Sequence, residues 1–257
     1  YNTPFDTPPF DKIKPEHYEP AFEKGIKELQ DEVLQIANNP AAPTFENTIV
    51  ALERSGRLLD RVSSAFFNVL NALSTDEMME ISQRMSPKLS MHSNYINLNE
   101  KLFSRVKYIF EKRDELALSN EQKRLVEKYY EGFENSGATL STEGKEKYRE
   151  LSMELSKATL EFGQNVLRET NAYEMLLTEE DDLAGLPKSL IDAAAAKAKS
   201  KEKVGWIFDL TGPSYVGFMQ YSSRRDLREK LYMAYNTKNV MGGQFDNREI
   251  VQKIVNT

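Results

Sequence analysis

Apolar residues recur every three to four positions over most of this chain, and that spacing commits it to helices, because an amphipathic helix buries one face at 3.6 residues per turn. Phe22, Ile26, Leu29, Val33 and Ile36 form the first stripe, which Asn38-Asn39-Pro40 ends. Thr44 is placed to cap a long second helix with Ile49, Leu52, Leu59, Val62, Phe66 and Leu70 inward, expected to be central. A third helix begins near Thr75 with Asp76 and Glu77 at its positive end. Pro87 is expected to kink or interrupt it before it resumes through Met91 and Tyr95. Further helices are expected over about 99–116, from the Ser119-Asn120-Glu121-Gln122 capping box to Gly137, and from Thr142 along Leu151, Leu155, Ala158, Phe162 and Val166.

After Asn171 the pattern changes. Tyr173 to Leu177 and Val204 to Leu210 are rich in strand-forming residues, and between them lie Leu183-Ala-Gly-Leu-Pro187 and an alanine-rich helix over 188–199. Helix returns at Tyr215 to Tyr221, at Arg225 to Asn236, and from Asp246 onward. The last helix places Ile250, Val251, Ile254 and Val255 on one face with no stop signal, so the chain is expected to continue past Thr257. The first twenty residues carry proline at 4, 8, 9, 15 and 20 and are expected to form an extended arm. The fold class is therefore mainly α, an antiparallel helical bundle-like lobe with a small two-stranded β ribbon. Its expected organisation is an arm over 1–20, a bundle over 21–171, and ribbon plus helices over 172–257.

Composition narrows the function. With 40% hydrophobic and 29% charged residues, the 257-residue chain has the balance of a globular protein with a sizeable core. A net charge of −6 and no Lys/Arg stripe interleaved with aromatics exclude a phosphate backbone as partner. No apolar run reaches the eighteen or so residues that span a bilayer, so no membrane partner is expected. The absence of cysteine removes disulfides, thiolate catalysis and Cys-based zinc sites. It leaves cytoplasm and periplasm open, and a start at Tyr1 is compatible with a leader removed ahead of it.

Little in the chain carries chemistry. A zinc peptidase holds its metal with two histidines one helical turn apart and uses the intervening glutamate as base. Here the histidines are His17 and His92, no His-Glu-x-x-His occurs, and both read as structural. No catalytic and no metal residue is assigned. Glu179-Glu180-Asp181-Asp182 lacks the alternation and turn glycine of a calcium loop, and reads as a helix start capped by Thr178. Gly242-Gly243 is a linker, and no Gly-x-Ser-x-Gly supports serine catalysis. Tyr215, Phe218, Tyr221, Arg224 and Arg225 are dense in aromatic and cationic groups, a composition suited to a peptide-facing wall as well as to packing with solvated charges.

Several stretches in fixed order go beyond pattern. Pro9-Phe10-x-x-Ile13-Lys14-x-Glu16-His17-Tyr18-x-Pro20-Ala21-Phe22 and Pro43-Thr-Phe-Glu-Asn-Thr-Ile-Val-Ala-Leu-Glu53-x-Ser55-Gly56-x-Leu58-Leu59 open the set. Leu183-Ala-Gly-Leu-Pro187, Arg225-x-Leu-Arg228-Glu229-x-x-Tyr232 and Asp246-Asn247-Arg248-x-Ile250-Val251 complete it. Together they resemble the first part of the thimet oligopeptidase and neurolysin family, most of all its bacterial peptidyl-dipeptidase and oligopeptidase A branch.

The resemblance implies a mostly helical lobe that walls a narrow channel admitting short unstructured peptides. It also implies that the zinc, which polarises the scissile carbonyl and activates water, and the glutamate that takes the proton are carried by a region beyond this chain. The expected partners are short peptides and that further region of the same polypeptide, and this chain alone is expected to be inactive. The competing expectation is a stand-alone, non-catalytic helical interaction domain.

Overall fold

The computed structural model describes residues 2–257 as two compact units, one running to Lys157 and the other Ala158–Asn256. The first unit holds α1 (Tyr18–Ala37), a π-helical segment (Phe45–Val50) continuing into α2 (Ala51–Arg54), α3 (Arg57–Ala72), α4 (Asp76–Asn97), α5 (Glu100–Glu111) and α6 (Asn120–Asn135). The boundary between the units falls inside α7 (Thr142–Ala172). The mainly α fold with one small ribbon is thus as the periodicity predicts.

The caps explain where these helices begin. Thr44 Oγ1 accepts the Asn47 N–H at 3.1 Å while Asn47 Oδ1 accepts the Thr44 N–H at 2.8 Å. Ser119 and Gln122 make the same reciprocal pair at 3.2 and 2.9 Å, and Asn99 Oδ1 receives Leu102 N–H at 3.0 Å. Two clusters fill the unit. One packs Tyr18 and Phe22 edge-on to Phe66, with Met85 beside them; the other joins Val33 and Ile49 to Leu102, Val106, Ile109 and Val126.

Several details correct the sequence reading. The arm contains 3-10 turns at Pro4–Asp6 and Pro15–His17, and α1 already starts at Tyr18, because a proline in the first turn lacks only a donor that has no helical acceptor. The expected long second helix is two helices. Ser55 is extended and its Oγ donates to the Leu52 carbonyl, while Gly56, at φ +76°, donates its N–H to Glu32 Oε2 on α1 at 2.8 Å. The chain thereby turns between Leu52 and Leu59 while both stay inward-facing. Pro87, by contrast, does not interrupt α4, where Met85 and His92 on either side of it are both buried. The helix after Asn99 stops at Glu111 and continues as turns toward Leu116. On α7, Ala158 is buried, but Leu155 and Phe162 are 40% and 37% exposed.

In the second unit β1 (Met175–Leu177) pairs antiparallel with β2 (Trp206–Phe208), Met175 opposite Phe208 and Leu177 opposite Trp206. The helices are α8 (Lys188–Ser200), α9 (Gly212–Tyr221), α10 (Arg225–Asn236) and α11 (Arg248–Asn256). Met175, Leu177, Leu186, Ala194, Phe208, Phe218 and Leu231 form the core. The acidic run is also corrected. Residues Glu180–Leu183 make a 3-10 turn with no side-chain cap, and Thr178 Oγ1 bonds to Glu179 instead. Asp182 is used in an ion pair with Arg224.

Candidate substrate-facing surface

The residues singled out as a wall lie on α9, α10 and the turn between them. α9 is set locally: Asp209, buried and ion-paired with Lys197, accepts the Thr211 N–H at 3.0 Å, while Ser214 Oγ accepts the Asp209 N–H at 2.9 Å. Pro213 then occupies the first turn, where its missing donor costs nothing.

At the other end, the N–H of Ser223 donates to the Ala184 carbonyl at 2.8 Å, binding the turn to the Leu183–Pro187 stretch. Gly185 is at φ +87°, and a Cβ there would overlap the Tyr221 carbonyl oxygen and sit 2.6 Å from Ser223 Oγ. Only glycine fits that approach. Arg228 reaches back to donate to the Ser222 carbonyl, so the arginine and the glycine hold the same turn from two sides.

These constraints sort the candidates into four environments. Phe218 is fully buried, edge-on to Phe208 with ring centroids 4.7 Å apart, and is a core residue. Tyr215 stacks on Tyr235 at 4.0 Å, and Lys238 Nζ lies 4.1 Å from the Tyr235 centroid. Tyr221 is 49% exposed at the C-terminal end of α9, and Arg225 is exposed at the start of α10. Arg224 is held between Asp182 and Asp226, donating to the latter at 3.0 and 2.7 Å. The bond to Asp226 is the main reason its guanidinium pKa is raised. The free, outward groups of the set are Tyr221 and Arg225.

The Asp246-Asn247-Arg248 stretch is a structural knot. Asn247, buried, donates to the Phe162 carbonyl at 3.1 Å and accepts from Asn165 at 3.0 Å, while its N–H reaches the Asn239 carbonyl at 2.7 Å. Asp246 accepts from the Arg248 side chain and backbone and from the Gly242 N–H, which lowers its pKa to about 2. Gly242-Gly243, read as a linker, is tied into this loop.

His17 lies in the turn before α1, its Nδ1 accepting the Lys14 N–H at 3.1 Å, and His92 is buried in α4 with its pKa lowered by desolvation. Among the described residues no three His, Cys, Asp or Glu side chains gather where a metal could sit. No described helix is long and apolar enough to cross a membrane.

The first unit also contains a cavity of about 810 Å³ between α1, α4 and α7, lined by His92, Asn94 and Arg149 among others. Sequence reasoning passed over it, because its walls come from three separated helices. The one local signal was a polar pair, His92 and Asn94, within the α4 stripe.

No family model matches the chain. It is 36% identical over 253 residues to the dipeptidyl carboxypeptidase of Salmonella typhimurium, an alignment covering 98% of this chain and 37% of that protein. It is 32% identical over 257 residues to oligopeptidase A of Escherichia coli, covering 98% and 38%. A probable cytosolic oligopeptidase A of Arabidopsis thaliana is 29% identical over 261 residues, 98% of this chain and 36% of that one. These relatives are peptidases. The chain belongs to the thimet oligopeptidase family, and it spans a little over a third of the length of the curated relatives it matches.

Proposed function

We propose that this chain is the N-terminal part of a zinc-dependent oligopeptidase of the peptidyl-dipeptidase type, and that it forms one wall of the channel that admits short unstructured peptides. The similarity over nearly the whole chain to peptidases more than twice its length carries this reading. In it, the zinc ion and the general base are supplied by sequence outside residues 1–257, in keeping with the lack of a His-Glu-x-x-His in this chain. Tyr221 and Arg225 are the residues of this chain that face substrate. An exposed phenol can stack on or hydrogen-bond to an extended peptide, and an uncommitted guanidinium attracts a carboxylate. Phe218 and Tyr215 hold α9 in place beneath them.

The test is the gene and then the protein. An open frame past codon 257 that reaches His-Glu-x-x-His, with chelator-sensitive cleavage of short peptides by the full product, is the expected result. The isolated 257-residue chain is expected to bind zinc weakly and to leave peptides intact. A stop codon directly after Thr257 would replace this reading with that of a non-catalytic helical interaction domain.

A further inference from the structure

The cavity of the first unit has a composition that specifies a ligand. Its walls are helical faces: Glu23, Ile26, Lys27 and Gln30 repeat at i, i+3, i+4 and i+7 on α1, and Lys88, Met91, His92 and Tyr95 do so on α4. Arg149 and Met153 close it from α7. At about 810 Å³ it falls within the roughly 300–1,000 Å³ of small-molecule sites. Ile26, Met91, Leu98 and Met153 give it an apolar lining.

Its charges are not all spent. Lys88 pairs with Glu23 at 2.5 Å, and Lys27 pairs with Asp31 at 3.4 Å. Arg149 has no ion pair or hydrogen bond among the described residues, so the cavity holds one uncommitted cation. Its polar wall is unfinished as well. His92 and Asn94 are 5% and 6% exposed, yet neither ring nitrogen of His92 nor the Asn94 amide nitrogen has a hydrogen-bond partner. Leaving such groups buried and unpaired is unfavourable. The terminal torsion of each side chain is soft, so a modest rotation turns these nitrogens toward whatever fills the cavity. A neutral imidazole then offers one donor and one acceptor, and the amide offers a donor.

From this combination we infer that the cavity between α1, α4 and α7 binds the C-terminal end of a short peptide whose last residue is apolar. The carboxylate pairs with Arg149, the apolar side chain lies on Met91, Leu98 and Met153, and the backbone amide meets His92 and Asn94. This would be a non-catalytic site, and its occupancy is read without turnover, so it stands or falls separately from the proposed peptidase activity.

The test uses the full-length protein with methyl-¹³C-methionine, Met153 being assigned through Met153→Leu. The probes are N-acetylleucine, N-acetylleucinamide and octanoate. N-acetylleucine is expected to shift the Met91 and Met153 methyl signals and leave the other methionines in place, while N-acetylleucinamide and octanoate bind at least tenfold more weakly. Arg149→Gln, an exposed position, is expected to weaken N-acetylleucine at least tenfold, and Asn94→Leu to weaken it while leaving octanoate unchanged. Equal binding of acid and amide, or binding unaffected by Arg149→Gln, would overturn the role of the carboxylate. Octanoate binding as tightly as N-acetylleucine would overturn the assignment to a peptide end, and no shift at either methionine at millimolar probe would overturn the site itself.

Discussion

Arg105 on α5 donates its Nε to Thr48 Oγ1 at 3.2 Å from a position only 7% exposed. The same guanidinium reaches the Asn39 and Ala41 carbonyls at 2.9 and 3.1 Å and Asn47 Oδ1 at 2.8 Å. Its partners are neutral oxygens, so one charged side chain satisfies the turn between α1 and the π-helical segment. Burial lowers its pKa without an anion to offset it. Arg105→Met is expected to destabilise the first unit by about 2–4 kcal/mol, since it takes the guanidinium donor from Thr48 Oγ1 and from the Asn39 and Ala41 carbonyls, while Asn47 Oδ1 keeps the Thr44 N–H. Urea unfolding checks this; a change below about 0.5 kcal/mol, the level of an ordinary surface substitution, would show that water replaces the arginine freely.

Gly185 and Gly132 make a matched pair. Gly185→Ala adds a Cβ into the Tyr221 carbonyl at a positive φ, and is expected to cost more than about 2 kcal/mol. Gly132 lies inside α6 with nothing within 4 Å of a Cβ, so Gly132→Ala is expected to stabilise by about 0.5–1 kcal/mol. Thermal unfolding of both variants should move in opposite directions.

Phe218 and Tyr221 separate packing from surface. Phe218→Ala is expected to cost about 3–5 kcal/mol, the range for a buried aromatic truncation. Tyr221→Ala should change stability by less than about 1 kcal/mol, and on the proposed reading as a channel wall should raise the full-length protein's KM for short peptides more than it lowers kcat. An unchanged KM in a folded Tyr221→Ala enzyme would remove this residue from the peptide-facing wall.

Asp246 gives a pH dependence with a definite sign. The Arg248 side chain, then the backbone donors, lower its pKa from 3.8 to about 2 in the folded state. A carboxylate depressed on folding contributes stability that is present above its unfolded value and disappears as pH falls through the folded one. The contribution should therefore be lost between pH 3.8 and 2, and Asp246→Asn should flatten denaturation midpoints across that interval. An identical acid slope in wild type and variant would show the knot to be equally stable with the acid protonated.

His92 has the opposite chemistry and the same direction. Burial disfavours its protonated form and lowers its pKa. The unfolded chain then binds the extra proton below its ordinary value of 6.5, so stability should fall as pH drops below that point. His92→Phe should reduce this slope, as read from thermal unfolding between pH 7 and 5.

Periodicity and capping signals together located most of the helices. Thr44, Thr75, Asn99 and Ser119 each satisfy orphan backbone donors within three residues, an interaction that needs no long-range contact. The ribbon was legible for the same reason, its two strands being the only β-rich stretches. The break at Ser55-Gly56 was not, because it depends on Glu32 of another helix receiving the Gly56 N–H. Nor was continuity through Pro87, where burial on both sides holds α4 together against a lost hydrogen bond.

The candidate surface divides in the same way. Sequence could find that Tyr215 to Arg225 is rich in aromatic and cationic groups. It could not say that Phe218 turns inward to Phe208 while Tyr221 stays outside, because the hand of that choice lies in where β2 and the Leu183–Pro187 loop pack. The cavity beside His92 is further from the sequence still. By itself the sequence determined what short-range physics governs: helix identity, caps, the ribbon, and an ordered set of motifs that places the chain in its family. Only the tertiary structure decided which charges are spent and which polar groups remain unpaired, because pairing depends on side chains brought together from helices tens of residues apart.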